Sequence, residues 1–226
     1  MQTGYFITGT DTDVGKTWVT IALMRYFKRQ GYSVVGMKPV AAGCFFSSGD
    51  GDNHGVLHNE DALLIQSNAS VALPYELVNP FAYCLPVSPH IAGVKNPVDL
   101  AIVAACFDEL KQLADLVLVE GAGGWYAPIN SHEDISDLAR KLSLPVILVV
   151  GIKLGCINHA KLSYQAIQQS GLACVGWVAV CVDGNMMFID ENIETVKAAL
   201  SVPLLGVLPH LAEPDFDYLA GRIAFA

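Results

Sequence analysis

The chain has 226 residues, 53% of them hydrophobic and 15% charged, with a formal net charge of −9 at pH 7. A chain of this length buries most of the surface of its unfolded form, which fits one domain over residues 1–226, and its acidic balance argues against nucleic-acid binding, which needs clustered Lys and Arg. No apolar run approaches the roughly eighteen residues of a membrane span and no leader precedes the first strand, so we expect a cytoplasmic protein with no membrane partner.

The first predicted strand covers residues 4–8, and a helix with apolar side chains at helical spacing is predicted over residues 14–30. Between them, residues 9–17 read GTDTDVGKT, a pattern typical of a P-loop. In such a loop, successive backbone N–H groups and the helix N-terminus bind phosphate oxygens. Lys16 would reach the outer phosphates, and the Thr17 hydroxyl would ligate Mg²⁺.

This loop departs from the standard pattern GxxxxGK[ST]. Glycine is required where the chain has Thr10, so Gly9 stands one residue early. The alternative interpretation is a tight glycine turn that carries a chance Gly-Lys-Thr. The strand before the loop and the helix after it favour phosphate binding over that alternative.

A second strand is predicted over residues 33–37, directly before Lys38 and Pro39. Proline restricts the preceding residue to extended backbone, so the Lys38 ammonium should lie at the carboxyl end of the strand. That edge is where open α/β sheets bind ligands. From spacing alone, a ligand-binding lysine and a solvated lysine are equally well supported.

Residues 41–59 are rich in Gly, Ser, Asp and Asn, and a long loop is predicted there. A short helix is predicted over residues 60–66, with acidic residues at its start. These residues suit the helix dipole, which is the simplest explanation of Asp61. Repeated prolines predict an irregular connection over residues 74–97, and apolar periodicity predicts a helix over residues 97–113.

Residues 115–125 predict an apolar strand that runs into Glu120 and then a glycine turn. P-loop proteins place a Walker-B-like acid at such a strand end, oriented toward the Mg²⁺ that Thr17 also serves. A carboxylate without a partner would be costly at a buried strand end. The metal-ligand interpretation of Glu120 is therefore favoured over a structural one.

Three further strands are predicted over residues 145–151, 175–182 and 203–209. Continuous apolar strands that alternate with amphipathic helices predict an α/β fold of the P-loop NTPase kind, with a mostly parallel central sheet and helices on both faces. The six cysteines have no CxxC or metal-like spacing and are expected to be free thiols. No paired histidine spacing supports His90 or His159 as a metal ligand.

Together, several segments resemble the dethiobiotin synthetases, a family of ATP-dependent carboxylases of biotin synthesis, and the match spans nearly the whole chain. The segments are GTDTDVGKT at 9–17, KPV at 38–40, NEDA at 59–62, VSPH at 87–90, VEGAGGW at 119–125, GIKLGCINH at 151–159 and PLLG at 203–206. The early glycine of the P-loop is itself a trait of that family.

The resemblance implies a ligase that closes the ureido ring on 7,8-diaminononanoate with CO₂ or bicarbonate, ATP and Mg²⁺. One amine takes up CO₂ as a carbamate, ATP phosphorylates the carbamate, and the second amine attacks the mixed anhydride. Nearly every species on this path is anionic where it reacts, so the site needs cations and N–H donors more than a strong base. The resemblance assigns this catalytic charge to Lys38, at the carbamate, and to Lys16.

Other site residues follow from the resemblance, position by position. The magnesium ligands would be Thr17, Asp61 and Glu120. Nucleotide contacts would come from Asp13, Val14, Gly15, Lys16, Thr17, Trp18, Asp61, Glu120, Gly121, Ala122, Gly123, Pro209, His210, Leu211 and Glu213. The substrate would meet Thr12, Ala42, Gly155, Cys156, Ile157 and Asn158, the last four supplied by the partner subunit of a homodimer, where a helix N-terminus would hold the substrate carboxylate.

Two positions depart from the better-known members of the family. Ala42 stands where they carry a serine near the diamine, so weaker substrate binding is expected. Val180 and Cys181 stand where they carry Asn-Asp, the Asn reading the adenine edge, and neither side chain makes the paired hydrogen bonds of an amide. The contacts at residues 209–211 are partly through backbone groups. The hypothesis is that ATP works but is discriminated poorly from other triphosphates.

Three alternatives from other classes stay open. A regulatory P-loop ATPase of the partitioning or cell-division-positioning kind shares the fold, but it usually has a basic or amphipathic surface segment, and this acidic chain offers none. A related amide-forming ligase that uses ATP on a carboxylate would employ Lys38 and Glu120 equally well. The third alternative is a dimeric binding protein that retains only the fold. Substrate assays separate these classes.

Overall fold

The computed structural model describes residues 3–46 and 55–225. Within them the strands, in chain order, are β1 (Gly4–Gly9), β2 (Val34–Met37), β3 (Val40–Ala42), β4 (Phe45–Phe46), β5 (Leu57–His58), β6 (Phe81–Tyr83), β7 (Leu116–Gly124), β8 (Val146–Gly151), β9 (Cys174–Val180) and β10 (Leu204–Leu208). One parallel sheet has the order β10-β9-β8-β1-β7-β2. Strand β3 pairs in parallel with β6, and β4 pairs antiparallel with β5.

The described helices, in chain order, are α1 (Lys16–Arg29), α2 (Glu60–Ser67), α3 (Tyr75–Val78), α4 (Pro89–Ala92), α5 (Leu100–Leu113), α6 (Ile135–Leu142), α7 (Cys156–Gln169), α8 (Ile189–Ala199) and α9 (Phe216–Ala220). Strands β2 and β8 are buried at every position, so both faces of the sheet are covered. Strands buried on both faces read as continuous apolar runs. Across the described residues, no helix has the length and apolar character of a membrane span.

The functional edge of the sheet is organised around β1, which has β7 on one side and β8 on the other. Ile7 of β1 pairs with Glu120 of β7, and Thr8 pairs with Leu148 of β8. Strands β7 and β2 lie on one side of β1, and strands β8, β9 and β10 lie on the other, so the direction in which the chain adds strands changes at β1. In open α/β sheets, ligands bind in the crevice beyond the carboxyl ends of the strands at such a point. The connection from β1 to α1 opens into that crevice.

The predicted fold class is confirmed. All the predicted strands are present, as β1, β2, β7, β8, β9 and β10, and the helices predicted at residues 14–30, 60–66 and 97–113 appear as α1, α2 and α5. The six cysteines are free thiols, as expected. Helices α6, α8 and α9 were not predicted.

Three details of the predictions are wrong. Strand β7 does not end at Glu120 but continues to Gly124, which pairs with Gly9 of β1. The loop predicted over residues 41–59 contains short strands in its described part, while residues 47–54 lie outside the described residues. The irregular connection predicted over residues 74–97 contains α3, β6 and α4. Strands of three residues, such as β3 and β6, are too short to have a periodicity, and only their pairing defines them.

Candidate functional site

The loop from β1 to α1 has two residues in left-handed backbone, Asp13 (φ 55°) and Gly15 (φ 87°). Gly15 directly precedes α1, and a Cβ there would lie 2.9 Å from Val180 Cγ1. Only glycine meets both conditions without strain. Val14 is fully buried beneath the loop, where it packs against Gly151. The N-terminus of α1, whose first N–H groups have no partner within the helix, is thereby held at the crevice.

A cleft of about 880 Å³ occupies the crevice. This volume falls in the range of small-molecule sites, roughly 300–1,000 Å³. Many residues predicted for the site line it. They are Thr12, Asp13, Gly15, Lys16, Thr17, Trp18, Lys38, Ala42, Asp61, Glu120, Ala122, Gly123, Pro209, His210 and Leu211.

Lys38 lies between two carboxylates in this cleft. Its Nζ is 2.5 Å from Glu120 Oε1 and 2.7 Å from Asp61 Oδ2. The side chain of Glu120 is fully buried, and that of Lys38 is 8% exposed, so Lys38 is not a solvated lysine. Burial alone would lower the pKa of Lys38, but the two carboxylates raise it above its ordinary value. Burial would raise the pKa of Asp61, but the ammonium holds it below its usual range.

The backbone around Lys38 explains its position directly after β2. Its N–H donates to Val78 O at 2.8 Å, and its carbonyl accepts from Asn79 Nδ2 at 2.7 Å. Asp61 reaches the same point from the first turn of α2, which begins where Asn59 Oδ1 accepts from the backbone N–H of Ala62. The Lys38 site is therefore assembled from three distant parts of the chain.

Glu120 also accepts hydrogen bonds from two threonines of α1. Thr17 Oγ1 donates to Glu120 Oε1 and Thr20 Oγ1 donates to Glu120 Oε2, each at 2.9 Å. Residues three apart share a helix face, which brings both hydroxyls to one carboxylate. The oxygens of Thr17, Glu120 and Asp61 form a donor set of the kind that Mg²⁺ prefers. Sequence analysis missed Thr20, although its spacing from Thr17 placed it on the same face.

Lys16, the first residue of α1, donates from Nζ to the carbonyl of Asp11 at 2.8 Å. Burial lowers the pKa of Lys16 to about 8, with Glu120 opposing that shift. The carboxylate of Asp11 in turn lies 3.2 Å from Lys153 Nζ, so the P-loop is linked to the connection between β8 and α7. Both cations of the predicted catalytic pair therefore border the cleft.

The two ends of the cleft differ in chemistry. Toward β9 and β10 it is lined by Val180, Cys181 and residues 209–211, and none of these side chains carries an amide. Toward β3 it is lined by Ala42 and by residues 86–89, where Ser88 supplies a hydroxyl. The family resemblance includes residues 87–90, but it assigns no role to Ser88.

Several residues predicted for the site do not line the cleft. Val14 and Gly121 are buried beneath it, and Glu213 is exposed outside it. The segment predicted to serve a partner subunit, residues 155–158, forms the start of α7 and also lies outside the cleft of its own chain. The adjacent Leu154 is 96% exposed.

Comparison with known proteins identifies close relatives in sequence. A family model described as an AAA domain matches residues 3–215. Proteins named ATP-dependent dethiobiotin synthetase BioD match nearly end to end. That of Aromatoleum aromaticum is 44% identical, with 97% of this chain and 96% of the relative covered. That of Xylella fastidiosa (strain 9a5c) is 43% identical, with 92% and 90% covered.

Solved structures with the same fold are more distant. The MinC:MinD cell division protein complex of Aquifex aeolicus has a TM-score of 0.58 at 16% identity, covering 97% of this chain and 85% of that chain. Signal recognition particle 54 kDa protein of Aeropyrum pernix K1, in complex with GDP, has a TM-score of 0.57 at 14% identity, covering 98% and 49%. At such low identity these matches establish the fold alone.

Proposed function

This chain belongs to the dethiobiotin synthetase family, and from that premise we propose that it is a ligase that uses ATP and CO₂ to close the ureido ring of dethiobiotin on 7,8-diaminononanoate. The observation that carries the proposal is the Lys38 ammonium, which meets Glu120 and Asp61 beside the N-terminus of α1. A fixed cation next to a phosphate-binding loop suits a reaction between a carbamate anion and a γ-phosphate.

The proposed reaction has three steps. One amine of the substrate adds to CO₂ and forms a carbamate. A carbamate oxygen attacks the γ-phosphate of ATP, which gives a carbamic-phosphoric anhydride and ADP. The second amine then attacks the anhydride carbon, the ring closes, and phosphate leaves. Each step places negative charge near the P-loop, so fixed positive charge lowers the barrier.

Different residues of the cleft would bind the phosphates, the carbamate and Mg²⁺. The N–H groups at the start of α1 and the Lys16 ammonium would bind the outer phosphates. Lys38 would hold the carbamate against the γ-phosphate. Thr17, Asp61 and Glu120 fit Mg²⁺, which when bound would neutralise phosphate charge. These assignments agree with the burial of Lys38 and Glu120, since electrostatic interactions are strongest away from water.

We propose a homodimer for the substrate site. The first N–H groups of α7 have no partner within the helix, and this segment lies outside the cleft of its own chain, with Gly155 and Asn158 exposed and Leu154 almost fully so. In a second copy, this segment would hold the substrate carboxylate at the partner's cleft. Ala42 offers no hydroxyl to the diamine, so weaker diamine binding than in serine-bearing relatives is part of the proposal. The expected location is the cytoplasm.

The test is a single reaction. Purified protein is incubated with 7,8-diaminononanoate, bicarbonate, Mg²⁺ and ATP, with dethiobiotin measured by mass spectrometry and phosphate measured with and without the diamine. Dethiobiotin and diamine-dependent phosphate would support the proposal. Diamine-independent hydrolysis without product would favour a regulatory ATPase. If neither dethiobiotin formation nor ATP hydrolysis is observed, the result would favour a ligase with another substrate or a binding protein.

A further inference from the structure

Ring closure requires a proton acceptor as well as cations. An alkyl amine that attacks a carbonyl carbon must lose an N–H proton before the new bond is stable. The ammonium of Lys38 is already protonated, and it donates to one oxygen of Asp61 and to one of Glu120, whose other oxygen accepts from Thr20. An acceptor at the substrate end of the cleft would take the proton without disturbing these contacts.

Other titratable groups that line the cleft are poorly placed for this role. Asp13 and Lys16 belong to the phosphate loop. His210 lies toward β10, with its ring against Gly184, where a Cβ would be 2.7 Å from His210 Cδ2. Burial raises the pKa of Cys181 at the same end. None of these groups borders Ala42 and the β3 side.

Ser88 and His90 form a hydrogen-bonded pair on that side. Ser88 Oγ lies 2.8 Å from His90 Nδ1, and its contact with Pro128 O, at 3.4 Å, is much longer. Ser88 lines the cleft, and both residues are half-buried. Among the described residues, His90 forms no ion pair with a carboxylate. In the tautomer with its proton on Nε2, the imidazole accepts a hydrogen bond from Ser88 Oγ at Nδ1.

The pair is held firmly against the sheet. His90 belongs to α4, which begins directly after Ser88, and Ser88 O accepts from the N–H of Ile91 at 2.9 Å. At the end of α4, a Cβ on Gly93 would lie 2.7 Å from the Tyr83 ring, so helix and β6 are in close contact. Strand β6 pairs with β3, which carries Ala42. These contacts hold the Ser88 backbone near the strand that carries Ala42.

We propose that Ser88 and His90 form the proton relay for the attacking amine in ring closure, an inference that rests on the proposed function. As the neutral amine forms its N–C bond to the anhydride carbon, its N–H proton passes to Ser88 Oγ and the Ser88 proton passes to His90 Nδ1. The C–O bond to phosphate breaks, and phosphate leaves with that electron pair. His90, partly open to water, then releases its proton to solvent. Ser88 contacts the substrate, and His90 acts through it.

The test compares two replacements of His90. In His90→Asn the amide oxygen still accepts a hydrogen bond from Ser88 but takes no proton at neutral pH, whereas His90→Ala leaves a space that added imidazole can enter. Both are compared with Ser88→Ala by kcat, by KM for the diamine and by ATP affinity. General acid–base catalysis is worth about 10²–10⁴ in rate. We therefore expect kcat to fall at least about 100-fold in each variant with ATP affinity unchanged, and imidazole to restore part of the rate of His90→Ala.

The matched control is His132→Asn, an exposed histidine in the same loop as Pro128, which should keep the wild-type kcat. A His90→Asn enzyme within threefold of the wild-type kcat would overturn the relay, since the hydrogen bond alone would then suffice. A loss of ATP affinity in step with kcat, without imidazole rescue, would also overturn it in favour of a structural role. Failure of the wild type to form dethiobiotin would instead overturn the proposed function.

Discussion

Replacing Lys38 with methionine tests the charge balance at the centre of the site. Methionine matches the lysine side chain as far as Cε and removes the ammonium that Glu120 and Asp61 share. Removing one partner of a buried ion pair costs about 3–5 kcal/mol, because the remaining charge is left uncompensated.

Two features of the site decide where in that range the effect falls. The side chain of Asp61 is 43% exposed, so water replaces much of what it loses. Glu120 is fully buried, but it keeps its hydrogen bonds from Thr17 and Thr20. We therefore expect Lys38→Met to lower the free energy of unfolding by about 3 kcal/mol. The double variant Lys38→Met/Glu120→Gln, which removes both charges of this buried pair, should regain at least half of that loss.

The assay is urea unfolding without nucleotide or Mg²⁺, with Lys197→Met as the control. Lys197 forms a surface pair with Glu194 in which both side chains are more than half exposed, and it should change stability by less than about 1 kcal/mol. A Lys38→Met protein as stable as the control would contradict this charge balance, as would a double variant no more stable than Lys38→Met. Both Lys38 variants should also lose at least about 100-fold in kcat.

Three further predictions concern other parts of the cleft and chain. Because Val180 and Cys181 offer no amide to the nucleotide base, kcat/KM for ATP should exceed that for GTP or CTP by less than about 100-fold, which corresponds to about 2.7 kcal/mol. A larger ratio would contradict this. Gly15→Ala should abolish ATP binding in a fluorescence or calorimetric titration, since its φ of 87° and the nearby Val180 methyl exclude a Cβ; retained affinity would contradict this. Iodoacetamide at pH 8 should alkylate the exposed Cys84 first, whereas burial raises the pKa of Cys174 to about 11; peptide mapping that finds Cys174 modified first would disprove this.

The sequence was sufficient to locate the strands of the central sheet because most of their residues are buried. A continuous apolar run such as β8 is hard to interpret as anything other than a buried strand. A glycine-rich loop between a strand and a helix is likewise hard to interpret as anything other than a P-loop. The register at the centre of the sheet, where Ile7 pairs with Glu120, depends on a parallel contact between distant strands and has no local signal.

The site was less predictable where it depends on tertiary contacts. Spacing alone left Lys38 undecided between ligand binding and solvation, because the carboxylates that surround it come from α2 and β7. The hydrogen bond between Ser88 and His90 spans only two residues, but its place in the cleft depends on the pairing of β3 with β6. Such contacts are fixed by packing between segments that are far apart in the chain.

We propose that this protein incorporates CO₂ into the ureido ring in a reaction driven by ATP. The most direct measurement follows ¹³C-labelled bicarbonate in the presence of 7,8-diaminononanoate, Mg²⁺ and ATP, with product mass and released phosphate measured together. The account predicts dethiobiotin that is heavier by one mass unit, formed in equal amount to the phosphate that the diamine induces. Phosphate release without labelled dethiobiotin would contradict it.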